Sequence, residues 1–153
     1  MPSTPARLMA AAAVTAAMAL PASADMIAKT SPHSVSVTID RLTAAVEGAG
    51  ATVFARVDHA GGAAKVDMDL RPTQLLIFGN PKLGTPAMLD GQTAGLDLPL
   101  RVLAYADGEG VVHVTYHDPA TLAATHGLPA DAKYIQMMTG ALDKLTEKAI
   151  AAE

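Results

Sequence analysis

The sequence predicts an α+β fold: a two-layer sandwich in which a mixed β-sheet is backed by helices packed mainly on one face. Three observations lead there. Segments with apolar residues at every third or fourth position alternate with short β-branched runs. Two later runs flank Asp107-Gly108-Glu109-Gly110, a hairpin signal, and a last periodic segment closes the chain.

The N-terminus stands outside this pattern. Arg7 precedes the small, apolar run 8–20, then Pro21 and Ala22-Ser23-Ala24, which together read as a charged n-region, an h-region and an A-x-A cleavage site. The run falls short of the roughly 20 residues that span a bilayer, so residues 1–24 predict a cleaved signal peptide and no permanent membrane anchor. A periplasmic or secreted location after cleavage near Ala24 follows. Residues 25–34 carry Lys29-Thr30-Ser31-Pro32 and no apolar period, and are expected to form a flexible arm. A single domain is expected over 35–153.

Within that domain, Val35, Ile39, Leu42, Val46 and Ala49 make the stripe of an amphipathic helix ended by Gly48 and Gly50. Residues 52–57 alternate and are β-branched or aromatic, hence a strand. Asp58 is placed to cap a glycine-containing helix over about 60–68. The run 74–78, closed by Gly79-Asn80-Pro81, predicts a central strand buried on both faces. Thr85 and Pro86 suggest the cap and first position of a short helix. Residues 100–105 and 111–116 pair as the hairpin, with Val112, Val114 and Tyr116 facing the core. Asp118-Pro119 opens a helical turn that Gly127 closes, and Asp131 is expected to cap a last helix with Ile135, Met138, Leu142, Leu145 and Ala149 on one face.

Four elements in order, Val57-Asp58-His59, Leu76-Ile77-Phe78-Gly79-Asn80-Pro81, Leu98-Pro99-Leu100-Arg101-Val102-Leu103-Ala104-Tyr105 and Tyr116-His117-Asp118-Pro119, resemble the bacterial and archaeal family catalogued as domain of unknown function 302. The resemblance covers roughly residues 35–145. It implies a compact α+β fold and self-association into homodimers. It implies no established activity and supplies no catalytic residues.

Composition removes several function classes. The chain has 11 basic and 15 acidic side chains and only five aromatics, with no basic cluster. Such a surface repels phosphate backbones and offers no stacking platform, which excludes nucleic acid as a partner. Every serine lies at or before Ser36 and there is no cysteine, so serine and thiol nucleophiles are absent from the folded core, and thiolate metal sites with them. No phosphate-binding glycine loop and no H-E-x-x-H occurs.

Three side chains remain as ligand-binding candidates. His59 follows a strand end, where an imidazole serves as base, anion donor or metal ligand, and it is the one metal candidate. Asn80 ends the apolar strand, a position at which α/β sheets often bind ligands. Arg101 is the lone charge in residues 98–104 and must find a carboxylate partner or reach solvent; an internal or dimer-interface ion pair is the ordinary reading and capture of an anionic ligand the sharper one. By contrast, Asp58 and Asp118 read as helix caps, and His113 and His117, roughly 13 Å apart along a strand, cannot share an ion. Met68, Met88 and Met138 read as core filler. The expected protein is a dimeric, non-catalytic binder of a small anion or metal, with no cofactor named by the residues. The alternatives are an enzyme using His59 as general acid or base with Arg101 on an anionic substrate, and a protein-interaction module using an exposed sheet face or edge.

Overall fold

The computed structural model describes residues 26–152, so the expected signal segment lies outside the described residues. The elements are β1 (Met26–Ser31), α1 (Val35–Gly48), β2 (Thr52–Asp58), α2 (His59–Ala64), β3 (Thr73–Gly79), α3 (Pro81–Asp90), a 3-10 helix (Gln92–Leu96), β4 (Leu100–Ala106), β5 (Val112–His117), α4 (Ala120–His126) and α5 (Lys133–Ile150). The strands form one sheet in the order β1-β5-β4-β3-β2.

The α+β architecture is as expected, and every neighbouring pair of strands is antiparallel. The parallel pairing implied by a mixed sheet does not occur among the described residues. Helix α1 does connect two strands that run the same way, but it crosses the whole sheet and leaves β1 and β2 at opposite edges. A strand–helix–strand sequence pattern cannot tell that crossover from one between neighbours.

The segment expected as a flexible arm is instead the edge strand β1, paired to β5 from Met26↔His117 to Ser31↔Val112. Its inward positions are Ile27, Lys29 and Ser31, only one of them apolar, which is why no period is visible in the sequence. Polar partners hold the other two. Lys29 Nζ lies 2.6 Å from Asp143 Oδ1 on α5, and the buried hydroxyls of Ser31 and Thr38 are 2.7 Å apart.

A first core lies between the sheet and the pair α1 and α5. Val35, Ile39, Leu42 and Val46 of α1 and Leu142, Leu145 and Ala149 of α5 pack on Leu76, Phe78, Val102, Ala104, Val114 and Tyr116. The stripes read from both helices are thus the buried faces. Each fully buried leucine or phenylalanine contributes about 1.5–3 kcal/mol of transfer free energy. The expectation that β3 is buried on both faces is corrected: Leu76 and Phe78 are buried, whereas Leu75 and Ile77 are half-exposed on a face that α1 and α5 do not cover. Leu103 and Tyr105 share that face, because they stand opposite Leu75 and Thr73.

A second core closes one end of the molecule, from Ala87, Ala94, Leu122, Ala123, Leu128, Ile135 and Met138. Here α3 starts one turn earlier than expected. Asn80 is its cap, with Oδ1 accepting from the Lys82 N–H at 2.9 Å, and Pro81 takes the first position. Asn-Pro supplies the same cap chemistry that Thr85-Pro86 offered, and Pro86 is left inside the helix. Helix α2 is shorter than expected, because Asp67 adopts a φ of 56° just beyond it. Asp58 does cap α2, accepting from Gly61 N–H at 2.9 Å, and Gly127 closes α4 at a φ of 66°, both as expected. Helix α5 has no side-chain cap, so the capping role expected of Asp131 is not filled.

Tyr134 ties this second core together, donating to Asp90 Oδ2 at 2.7 Å. Desolvation and the neighbouring carboxylate push its phenol up to about 12. The raised value means that this contribution to stability is fully present below about pH 10 and is lost as pH rises through about 12. Subtracting the phenolate titration of Tyr134→Phe from that of the native chain is expected to leave one midpoint near 12. A midpoint near 10 would reject the Asp90 contact.

Candidate functional site

The sheet register decides which candidate residues meet. Thr52 pairs with Gly79 and Asp58 with Gln74, so β2 and β3 run in opposite senses past each other. Asn80, just after Gly79, therefore sits at one end of the sheet, and His59, just after Asp58, at the other, about 20 Å of strand away. Arg101 pairs with Ile77 and belongs to the Asn80 end. The convergence of His59, Asn80 and Arg101 in one cavity is thus corrected. A strand end is recognisable in sequence, but whether two strand ends share a rim depends on strand direction.

His59 is exposed at the start of α2. No group of three or more His, Asp or Glu side chains suited to a metal occurs among the described residues. Its role as a metal candidate gains no co-ligands from the fold.

Two pockets open at the Asn80 end, along the seam between the two cores, and Leu100 walls both. The first, of about 280 Å³, lies between α3 and the ends of β2, β3 and β4. Its walls include Phe54, Leu83, Met88, Leu98, Pro99 and Met138, with Gly79, Gly84 and Gly95 leaving space between them. The Leu98–Pro99 peptide is cis. A Cβ on Gly79 would lie 3.3 Å from the Pro99 ring and 3.6 Å from the Phe54 ring, so a side chain there would close the gap between them. Asn80 and Thr85 are the polar side chains on this wall, and no ionisable side chain lines it.

The second pocket, of about 270 Å³, has a polar wall of Asp97, Arg101, His117, Asp118, Thr121 and Thr125. Arg101 found the ordinary solution to its charge. Its Nη2 donates to Asp97 Oδ1 at 3.1 Å, so the guanidinium is already paired and offers a weakened field to an anion. Asp97 Oδ2 also accepts from His126 Nε2 at 2.7 Å, and Thr93 Oγ1 lies 3.0 Å from His126 Nδ1. With both nitrogens engaged and the ring 5% exposed, His126 fastens the 3-10 helix to α4.

Sequence reasoning passed over His126 and Asp97 altogether. A signal existed in the histidine followed by Gly127 at the end of a short helix, but its partners are 29 and 33 residues away. A second histidine beside a carboxylate, His113, lies 2.6 Å from Asp107 and stacks on Tyr105 with ring centroids 5.1 Å apart. Its hydrogen bond is the main cause that holds the Asp107 carboxyl below the usual carboxylate range. Backbone N–H groups of Glu109 and Val111 add to it, which makes Asp107 the organiser of the hairpin loop.

This arrangement of five antiparallel strands and flanking helices is shared with known proteins. Residues 27–145 match the family described as Domain of unknown function DUF302. The chain belongs to that family. A solved structure titled as an uncharacterized conserved DUF302 protein from Bacillus stearothermophilus superposes with a TM-score of 0.73, covering 81% of this chain and 97% of that one at 17% identity. At that identity the likeness is one of fold. Among curated proteins, the DUF302 chain is 50% identical over 112 residues to proteins named fluoride-specific ion channel FluC 1 from Brucella suis and Brucella abortus. It spans less than half of their length, 44% and 42% respectively.

Proposed function

We propose that this DUF302 domain is an exported, dimeric small-ligand-binding protein that works without catalysing a reaction, and that its ligand occupies the pocket beside α3. The pocket itself carries the reading: it is concave, chiefly apolar and equipped with a few polar groups at fixed positions, at the small end of the range for ligand sites. Its position at strand ends, next to a helix start, agrees with the role expected of Asn80. Export is supported by the pattern of residues 1–24, and dimerisation by the half-exposed Leu75, Ile77, Leu103 and Tyr105 on the open sheet face. An acid–base role for His59 draws no support from either pocket, since neither includes it.

Native mass spectrometry of the protein recovered from its own cell envelope tests this reading. The expected result is twice the chain mass with one small molecule retained per chain. Gly84→Leu is expected to lose that molecule and keep the dimer. A Cβ at position 84 meets only Leu98 Cδ1, at 3.9 Å, so the added side chain fills the pocket without displacing backbone. A bare monomer would reject the proposal.

A second reading is favoured by the relatives. Proteins named as fluoride-specific ion channels contain a stretch half identical to this one, so the domain is alternatively a module that attaches to a membrane protein through its open sheet face. No helix among the described residues is itself long and apolar enough to cross a membrane.

A further inference from the structure

We infer that the pocket beside α3 selects an uncharged, chiefly apolar molecule carrying a hydrogen-bond acceptor of the carbonyl class, and that Asn80 Nδ2 is the group that holds this acceptor. The inference rests on the small-ligand reading above and deepens it by naming the ligand's chemistry.

The cap fixes the asparagine. Its Oδ1 accepts from the Lys82 N–H at 2.9 Å, which only an oxygen can do, so the amide cannot be flipped and the Nδ2 donors are oriented by the fold. That Nδ2 has no hydrogen-bond partner among the described residues, and Asn80 lines the pocket. Thr85 Oγ1, on the same wall, also lacks a partner among the described residues. No buried side-chain nitrogen or oxygen is left unpaired among the described residues, so this Nδ2 is open to water, and a ligand acceptor can replace that water where a pure hydrocarbon cannot.

The same wall argues against charge. No Asp, Glu, Lys, Arg or His lines the pocket, so an anion or cation entering it would lose hydration with no counter-charge to replace it. This departs from the anionic ligand expected from Arg101, which lies in the other pocket and is paired to Asp97. The glycines at 79, 84 and 95 and the thioethers of Met88 and Met138 make the remainder a smooth, polarisable surface suited to a flat or compact apolar body.

The test compares acetophenone, ethylbenzene and benzoate as probes, titrated into the full chain while backbone amide shifts of Gly79, Gly84 and Gly95 are followed by NMR. Asn80→Ser and Asn80→Asp both keep a cap oxygen for the Lys82 N–H, so both are expected to fold, and both remove the amide donors. Acetophenone affinity is expected to fall about three- to ten-fold in Asn80→Ser and further in Asn80→Asp, where a carboxylate faces the carbonyl. Ethylbenzene affinity is expected to stay within about two-fold in Asn80→Ser, and benzoate is expected not to bind. Equal losses for acetophenone and ethylbenzene would overturn the acceptor assignment and leave the pocket reading in place. Benzoate binding as well as acetophenone would overturn the uncharged class. Failure of both neutral probes to shift the native chain would remove the pocket reading itself, and this inference with it.

Discussion

Replacing Phe78 with alanine is expected to cost about 3–5 kcal/mol of folding free energy, whereas Phe54→Ala is expected to cost less than about 1 kcal/mol. These are the only two phenylalanines in the chain, and both lie on neighbouring strands at the same end of the sheet. They differ in direction. Phe78 is 2% exposed and packs in the core under α1 and α5, so its removal leaves a cavity that a close-packed interior closes only in part. Phe54 is 58% exposed, sits where the β2 register shifts, and lines the mouth of the pocket beside α3. A small domain has about 5–15 kcal/mol in total, so the first substitution removes a large fraction of it. Urea unfolding checks the pair: the midpoint is expected to drop by more than about 1 M for Phe78→Ala and to stay almost unchanged for Phe54→Ala. Ligand-probe binding should show the reverse order. Equal midpoint shifts would place the core elsewhere than between the sheet and the two long helices.

The parts of this fold that were legible in the sequence are those in which one physical requirement dominates a whole segment. Helix α5 had to bury a stripe, and Ile135, Met138, Leu142, Leu145 and Ala149 are that stripe. The hairpin had to turn at Asp107-Gly108, and Val112, Val114 and Tyr116 had to face inward once Leu100 and Val102 did. The antiparallel order was not legible. It depends on α1 carrying the chain across the full width of the sheet, and no local pattern records how far a crossover travels. Nor was the open face of β3 legible, since a continuous apolar run is equally compatible with two covered faces and with one face left for a partner.

The site was legible in its ingredients and not in its assembly. Asn80 was found because a turn chemistry ends an apolar strand there, and Arg101 because a lone charge in a strand must be answered. Their separation by the Leu100 wall, and the removal of His59 to the far end, follow from register alone. Asp97 shows the limit most clearly. In sequence it is an acid next to a loop, and in the fold it joins Arg101 and His126 by one carboxylate oxygen each.

Beginning the chain at residue 32, after β1, is expected to cost more than about 3 kcal/mol and to broaden or abolish the cooperative thermal transition. The cost arises from what β1 holds in place. Its ladder to β5 goes, at about 0.5–1.5 kcal/mol for each net hydrogen bond. Thr115 Oγ1 loses the Ile27 carbonyl it donates to, and the buried Thr38 hydroxyl loses Ser31. Strand β5 becomes an edge of Val112, Val114 and Tyr116 with open backbone groups, a template for aggregation. A milder variant separates the polar anchor from the ladder: Thr38→Val keeps shape and burial but leaves Ser31 Oγ without that partner, at a cost of about 1–3 kcal/mol. Ser31 Oγ also accepts from the His33 N–H at 3.2 Å, so adding Ser31→Ala removes a second bond and is expected to cost more than Thr38→Val alone. Circular dichroism melting of the truncated chain decides between the two descriptions of this segment. A transition within a few degrees of the full chain would mean that residues 26–31 are dispensable, as a flexible arm would be. A collapsed transition, with a further loss in the Thr38→Val, Ser31→Ala pair relative to Thr38→Val alone, would mean that the sheet's outer strand is held by polar contacts rather than by apolar burial, which is why its sequence conceals it.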